Sequence, residues 1–190
     1  KLGELRVVCP VPWVPRALKR LTASATLYAE IPGEDLVGGI RTYYPRYFLT
    51  PNLGRSLYGW WMFLSLQRVL PRIRREFPFD VVLATWAYPD VFAAALAARR
   101  LQLPFVAKVH GSDIHVYTRA FWRRRMIASS LKRAAAVVAV SAELKAQVVS
   151  LGVDPGKVHV IPNGVDPARF TPMERARCRK QLGLSEGGTR

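Results

Sequence analysis

Four polar clusters interrupt a chain that is otherwise rich in aliphatic residues: "TWAYPD" (85–90), "HGSD" (110–113), Ser141 and "NGVD" (163–166). In "HGSD", His110 offers a donor or a proton acceptor near neutral pH. Gly111 lacks a Cβ, so backbone amides there can approach a ligand. Ser112 and Asp113 can cap a helix that begins at Ile114, or meet the ligand themselves. Two readings of this turn stand side by side: a ligand-facing imidazole, or an ordinary turn whose His bonds a neighbouring carbonyl. Spacing alone does not choose, because binding residues and caps both favour such loops. In "TWAYPD", Trp86 and Tyr88 either form an apolar platform with a polar edge, on which sugars stack, or pack locally. In the second and simpler reading Pro89 takes the first helical position. His115 and His159 are read as structural, the first near a helix start and the second inside a strand.

What places these groups is a set of five Val-rich runs, "LRVVC" (5–9), "DVVLA" (80–84), "FVAKV" (105–109), "AVVAV" (136–140) and "VHVI" (158–161). They are short and continuous, as strands covered on both faces are. Helix-length segments alternate with them: 57–70, 89–102, 118–133 and 142–151. Strands alternating with helices give βαβ units, hence an α/β fold with a Rossmann-like parallel sheet and helices on both faces. The stretch 35–48 reads as an edge or second strand leading into a loop. In open parallel sheets ligands bind beyond the carboxyl ends of the strands. All four polar clusters follow such ends. Ser141 can also N-cap the helix after it, with Glu143 in the first turn; Gly152 ends that helix and "DPGK" (154–157) turns into the next strand. Asn163 and Gly164 supply Asn-Gly turn chemistry. Beyond Pro167 the pattern changes. The expected division is a domain over 1–167 and a linker plus the start of a further domain over 168–190.

Composition sets bounds on function. The chain has 190 residues, 50% hydrophobic and 22% charged, enough for one domain with a real core. Two distant cysteines, Cys9 and Cys178, make neither a disulfide framework nor a zinc spacing and fit a reducing compartment. No metal-ligand cluster stands out. The longest strongly apolar run, 57–70, is shorter than the roughly 20 residues that span a bilayer. The chain begins at Lys1 and shows no signal peptide, so a fragment located in the cytoplasm is expected. Lys plus Arg number 29 against 13 acids, a net charge of +16. Such a surplus attracts polyanions, acidic membranes or phosphorylated small molecules. Neither GxGxxG, GxxxxGK[ST], GxSxG nor HExxH occurs, so dinucleotide, P-loop, esterase and zincin readings lack support.

Three stretches, "VHGSDIH", "AVSAELKAQVVSLGVDPGKVHVIPNGVDPARF" and "PRYF…FDVVLATWAYPD", resemble the N-terminal half of family-4 glycosyltransferases of the GT-B fold. They look closest to the branch of teichuronic-acid and exopolysaccharide pathways. The resemblance covers nearly the whole chain. It implies a retaining hexosyltransferase whose N-terminal domain holds the acceptor while an absent second domain holds a nucleotide-diphosphate sugar. That sugar would be a substrate; no cofactor and no metal are implied. His110 would position and stabilise charge beside the donor sugar and its phosphates. Gly111 and Ser112 would line the same cleft, and Asn163 and Gly164 would lie near the hinge. Asp113, Trp86, Tyr88 and Ser141 complete the expected substrate-binding set. The sequence departs from the family in its first loop, "CPVPWVPRALKR", which has prolines where glycines approach the diphosphate. The expected partners are a nucleotide sugar and a glycan or lipid-linked acceptor, and the fragment is expected to be inactive alone. Arg119, Arg123, Arg124, Arg125, Lys132 and Arg133 beside Phe121 and Trp122 suit a peripheral site on the inner face of the plasma membrane, or simply a solvated basic face. A helical wheel scatters these arginines around the axis. The alternative function is a non-catalytic basic module that binds membranes or polyanions; nucleic-acid binding rests on charge alone.

Overall fold

A computed structural model describes residues 3–13, 28, 30–50 and 54–184. In chain order the elements are β1 (Val7–Val8), β2 (Val11–Trp13), β3 (Glu34–Val37), β4 (Ile40–Tyr43), β5 (Arg46–Phe48), α1 (Tyr58–Glu76), β6 (Val82–Thr85), α2 (Phe92–Leu101), β7 (Phe105–Val109), α3 (Ser112–His115), α4 (Phe121–Arg133), β8 (Ala136–Ala139), α5 (Ala142–Ser150), β9 (Val158–Val160) and α6 (Arg175–Gln181).

Strands β6, β7, β8 and β9 form a four-stranded parallel sheet in sequence order, joined by crossover helices. This is the α/β class that the alternating pattern predicts. One face of the sheet presents Ala84, Ala107, Val109, Val137, Ala139 and Val158 to α2, α4 and α5, which seal it with Ile127, Leu131, Leu144 and Val148. Along β7 burial alternates residue by residue, the signature of a pleated strand with one sealed side. The opposite side is more open, and Leu83 is 62% exposed. The Val-rich runs are therefore less symmetrically covered than their continuity suggests.

Helix α2 explains itself. "FAAALAARR" is apolar nearly all round because both its sides are covered. Ala95 and Ala98 face the sheet, while Ala93 and Ala97 face α1 across a second core with Tyr43, Tyr47, Met62, Leu66, Leu70 and Ile73. Helix α1 runs past the expected end at residue 70 to Glu76, carrying Pro71 on its exposed side. The lost amide there leaves only one carbonyl to solvent, while the burial of Leu70 and Ile73 keeps the helix going.

The first strand differs from expectation. Short β1 pairs in parallel with β4, not with the four-stranded sheet, and β2 pairs in parallel with β5. The segment 35–48 supplies three strands, with β3 antiparallel to β4. Leu5 and Cys9 at the ends of the first run are exposed. The first loop from Val14 onward, with the chain as far as Leu27, lies outside the described residues. From Ile161 to Leu184 nearly every residue is exposed, α6 included.

Candidate functional site

The carboxyl ends of β6 and β7 bring "TWAYPD" and "HGSD" together. Parallel pairing sets Thr85 opposite Lys108, so both strands stop at the same level and their turns are neighbours. The Trp86 amide donates to the Lys108 carbonyl (3.0 Å), and the Trp86 carbonyl accepts from the Val91 amide (3.0 Å). These two bonds hold Trp86 at φ 77, a backbone region that a bulky residue rarely adopts and that costs about 1–3 kcal/mol. The result aims its indole at His110. The two rings lie 6.2 Å apart, 31° from parallel.

Asp113 makes the junction rigid. Its carboxylate is fully buried. One oxygen accepts from the amides of His110 (3.0 Å) and Gly111 (2.8 Å), and the other from the amide of Ala87 (2.9 Å). The sequence suggested a cap or a ligand contact, but α3 begins at Ser112 and receives no side-chain cap. Asp113 reaches backwards instead, tying one turn to the other. Its acceptor capacity goes to three amides, so it positions the rim and does not face a ligand.

Gly111 also has a different task. It sits at φ 121, where only glycine is at ease, while an added Cβ would meet nothing closer than His115 Cδ2 at 3.9 Å. Its amide is spent on Asp113. Conformation, not close ligand approach, demands the glycine.

Tyr88 departs furthest from the platform reading. It is 1% exposed, packs against Phe92 and Tyr117, and accepts a hydrogen bond from the Gly59 amide (3.0 Å). Gly59 lies in the first turn of α1, so the phenol satisfies one of that helix's orphan donors. Burial pushes the phenol pKa up, against the lowering effect of that hydrogen bond. A Cβ at 59 would lie 2.5 Å from Phe92 Cδ1, which is why a glycine stands there. The Tyr88–Pro89 bond is cis, and Tyr88 (φ −150, ψ 132) is the one non-helical residue in the wide turn over 87–91, so helical backbone resumes at Pro89 and runs on into α2. Of the expected pair, Trp86 alone remains on the rim.

Ser141 does what its position suggests, its Oγ accepting from the Leu144 amide at 3.2 Å. It is exposed and at the rim, but that lone pair is committed to the cap. Asn163 is exposed and its Oδ1 accepts from Lys108 Nζ at 2.8 Å; Gly164 stands open, with nothing within 4 Å of where a Cβ would stand. Lys108 is the rim residue that sequence reasoning missed. It lies two residues before His110 on the more open side of β7 and brings a cation to the edge. The signal was a lysine inside an otherwise apolar strand. His159 is exposed and lies outside this cluster, whereas His115, also exposed, sits beside the turn with its Cδ2 next to the place a Gly111 Cβ would take.

Asp90 sits half-buried in the 87–91 turn, and burial raises its pKa to about 6, partly offset by a hydrogen bond to its own backbone. Burial followed by the Asp90 charge also raises the Cys9 thiol and the Tyr47 phenol. Among the described residues no protein group hydrogen-bonds the His110 imidazole, and no cluster of three His, Cys, Asp or Glu side chains could hold a metal ion. No helix of the described residues is long and apolar enough to cross a membrane. The arrangement can therefore present an indole face, an imidazole, the Ser112 hydroxyl and a lysine-bridged amide to a polar ligand lying across the strand ends.

Comparison with known proteins agrees with this architecture. The model of Glycosyltransferase Family 4 matches residues 7–169. TuaC of Bacillus subtilis (strain 168), a glycosyltransferase named for teichuronic acid biosynthesis, is 30% identical over 195 residues, which cover 97% of this chain and 48% of TuaC. A D-inositol 3-phosphate glycosyltransferase of Stackebrandtia nassauensis is 33% identical over 106 residues, covering 50% of this chain and 23% of that protein. The chain thus spans about half the length of TuaC and less of the second relative. Sucrose-phosphate synthase from Thermosynechococcus elongatus superposes with a TM-score of 0.60 at 14% identity, over 83% of this chain and 40% of that one. Anabaena HepE in complex with UDP and glucose superposes with a TM-score of 0.54 at 20% identity, over 76% and 38%. These likenesses show the fold, that of one half of a GT-B enzyme. A rim built at the ends of parallel strands, matched along residues 7–169, settles the family: this chain belongs to glycosyltransferase family 4.

Proposed function

We propose that this chain is the acceptor-side half of a retaining transferase, which moves a sugar from a nucleotide-diphosphate sugar to a glycan or lipid-linked acceptor in cell-surface polysaccharide synthesis. One observation carries the reading: Trp86, held in a strained conformation, faces His110 over a junction that Asp113 locks from beneath. Strain kept at a strand end by specific hydrogen bonds is characteristic of sites that must be pre-organised. The His110 imidazole would donate to the sugar or its departing phosphate as negative charge grows there. Ser112 would bind a hydroxyl, Trp86 would offer its face to a pyranose ring, and Lys108 would add a positive charge near the phosphates. Gly111 would let the turn form, and Asn163 with Gly164 would set the exit towards a second domain. The donor is a substrate, and no resident cofactor or metal is invoked. TuaC's name supports the polysaccharide setting, and the HepE complexes with UDP-glucose and with UDP and glucose support a nucleotide sugar. We place the protein in the cytoplasm, peripheral to the plasma membrane, and we expect this half to be inactive without a partner domain.

Transfer of labelled sugar from UDP-glucose by the complete two-domain protein tests the reading, with a panel of other nucleotide sugars beside it. His110→Ala is expected to lower kcat about a hundredfold, the scale of losing one preorganised donor. Unchanged turnover in that variant removes His110 from the mechanism.

A further inference from the structure

We propose that the N-terminal end of α4 is a docking surface for an anionic lipid bilayer, with Phe121 and Trp122 entering the headgroup boundary and Arg119, Arg124 and Arg125 meeting lipid phosphates. The inference deepens the transferase reading, and it rests on that reading only for what the bilayer would deliver.

The aromatic pair is the first reason. Phe121 is 63% exposed and Trp122 69%, and they touch edge to face at 5.4 Å with no core beneath them. Two adjacent large aromatics left in water mark a surface that meets something apolar. The second reason is charge. Arg119, Arg124 and Arg125 are exposed around that pair, and the Arg125 guanidinium lies 5.6 Å from the Phe121 ring centre. Between residues 91 and 142 the only Asp or Glu is Asp113, which is fully buried and spent on three amides. No acid of this stretch neutralises the patch.

The scatter of arginines around the α4 axis has a structural resolution. Arg123 turns inward, its guanidinium 5.2 Å from the Tyr117 ring centre and its Nε buried without a hydrogen-bond partner. Lys132 lies over the end of α5, where a Cβ at Gly152 would come within 2.7 Å of its Nζ. Apart from Arg133, exposed in the last turn, what remains is a basic and aromatic cluster in the first turns. There it meets the positive end of the helix macrodipole, with no acid in the first turn and no side-chain cap. Cations at that end are unfavourable within the protein itself, and an external anion relieves them. Aromatics for the interface and cations for the phosphates together are the chemistry of an interfacial anchor.

Topology orients the patch. A crossover helix runs antiparallel to the strands it joins, so α4 starts at the strand ends that carry Trp86 and His110. It packs on the 87–91 turn, and Tyr117 just before it contacts Tyr88. Docking through Phe121 and Trp122 would hold the rim at the bilayer, where a lipid-linked acceptor presents its head.

Co-sedimentation of the chain with vesicles of phosphatidylcholine, or of phosphatidylcholine and phosphatidylglycerol in equal parts, tests this. Binding is expected to the anionic vesicles only and to weaken in 0.5 M NaCl. The double variant Arg124→Glu/Arg125→Glu should cut partitioning about twenty-five-fold or more, from about fivefold per basic residue near an anionic surface. Phe121→Ser/Trp122→Ser should cut it about tenfold or more. Both pairs are exposed, so unchanged thermal melts will show that the fold survives. In vesicles with brominated acyl chains, tryptophan quenching should appear in the native chain and vanish in Trp122→Phe. If the aromatic double variant partitions like the native chain, or quenching persists in Trp122→Phe, the proposal fails and the patch is a general polyanion surface. Vesicle binding needs no donor and no second domain, so either result leaves the transferase reading to its own assay.

Discussion

Two turns that read alike in sequence divide their residues in the same unequal way. In "TWAYPD" and "HGSD" one member goes to the core and another stays at the rim. Tyr88 and Asp113 are buried and hydrogen-bonded to backbone amides, whereas Trp86, His110 and Ser112 remain open to a ligand. Holding and touching are separate tasks within each turn, and polarity does not tell them apart. The carboxylate, chemically the more eloquent residue, holds. The indole, chemically the blander one, touches.

The sharpest way to break this division is Asp113→Ala. Three amides, the buried one on Ala87 and the part-buried ones on His110 and Gly111, lose their only side-chain acceptor at once. At about 1–3 kcal/mol for each unsatisfied buried group, partly relieved by water, the loss should be about 3–5 kcal/mol in urea denaturation. If the variant unfolds near the native midpoint, Asp113 is not the lock, and the rim has another source of order.

A smaller effect tests the other end of the 87–91 turn. Asp90 is protonated in the folded state up to about pH 6, against an ordinary value of 3.8. Between about pH 4 and 6 the folded state therefore binds more protons than the unfolded one, and stability must fall as pH rises through that window. The fall should be about 2 kcal/mol, and Asp90→Asn should abolish it and stabilise the chain at pH 7. A variant that keeps the same pH slope would assign the effect to other groups.

How far the sequence led depends on how local each determinant was. Strands β6 to β9 and their helices were legible because Val-rich runs, an N-cap at Ser141 and a helix-ending Gly152 are encoded within a few residues. The rim was legible as a place for the same reason, since it follows from where strands end. What escaped was the direction of individual side chains. Tyr88 turns inward because a glycine twenty-nine residues earlier leaves room and an unpaired amide for it. Asp113 turns inward because the Ala87 amide waits across a parallel pairing. Such partners are distant in sequence and silent in any local pattern. The pairing of β1 with β4 was hidden likewise, because strands of two to four residues carry too little periodicity to declare a neighbour.

Tyr88→Phe isolates the inward task at a lower cost. The ring still fills its site, but the Gly59 amide loses its acceptor near the start of α1. A net loss of about 1 kcal/mol is expected by thermal melting, with little change in sugar transfer. A large fall in transfer with an unchanged melt would return Tyr88 to the substrate.

The smallest stability effect belongs to the residue with the largest expected effect on chemistry. The His110 amide is fixed by Asp113, but its imidazole takes no hydrogen bond from any described residue and lies beside the Trp86 ring. Truncating it to alanine removes no buried partner and opens no sealed cavity, so denaturation should shift by no more than about 0.5 kcal/mol. The backbone turn persists, since Gly111 and Asp113 set it. If His110→Ala instead destabilises the chain by about 2 kcal/mol or more, the imidazole is part of the lock and the separation of tasks within the two turns fails at its central residue.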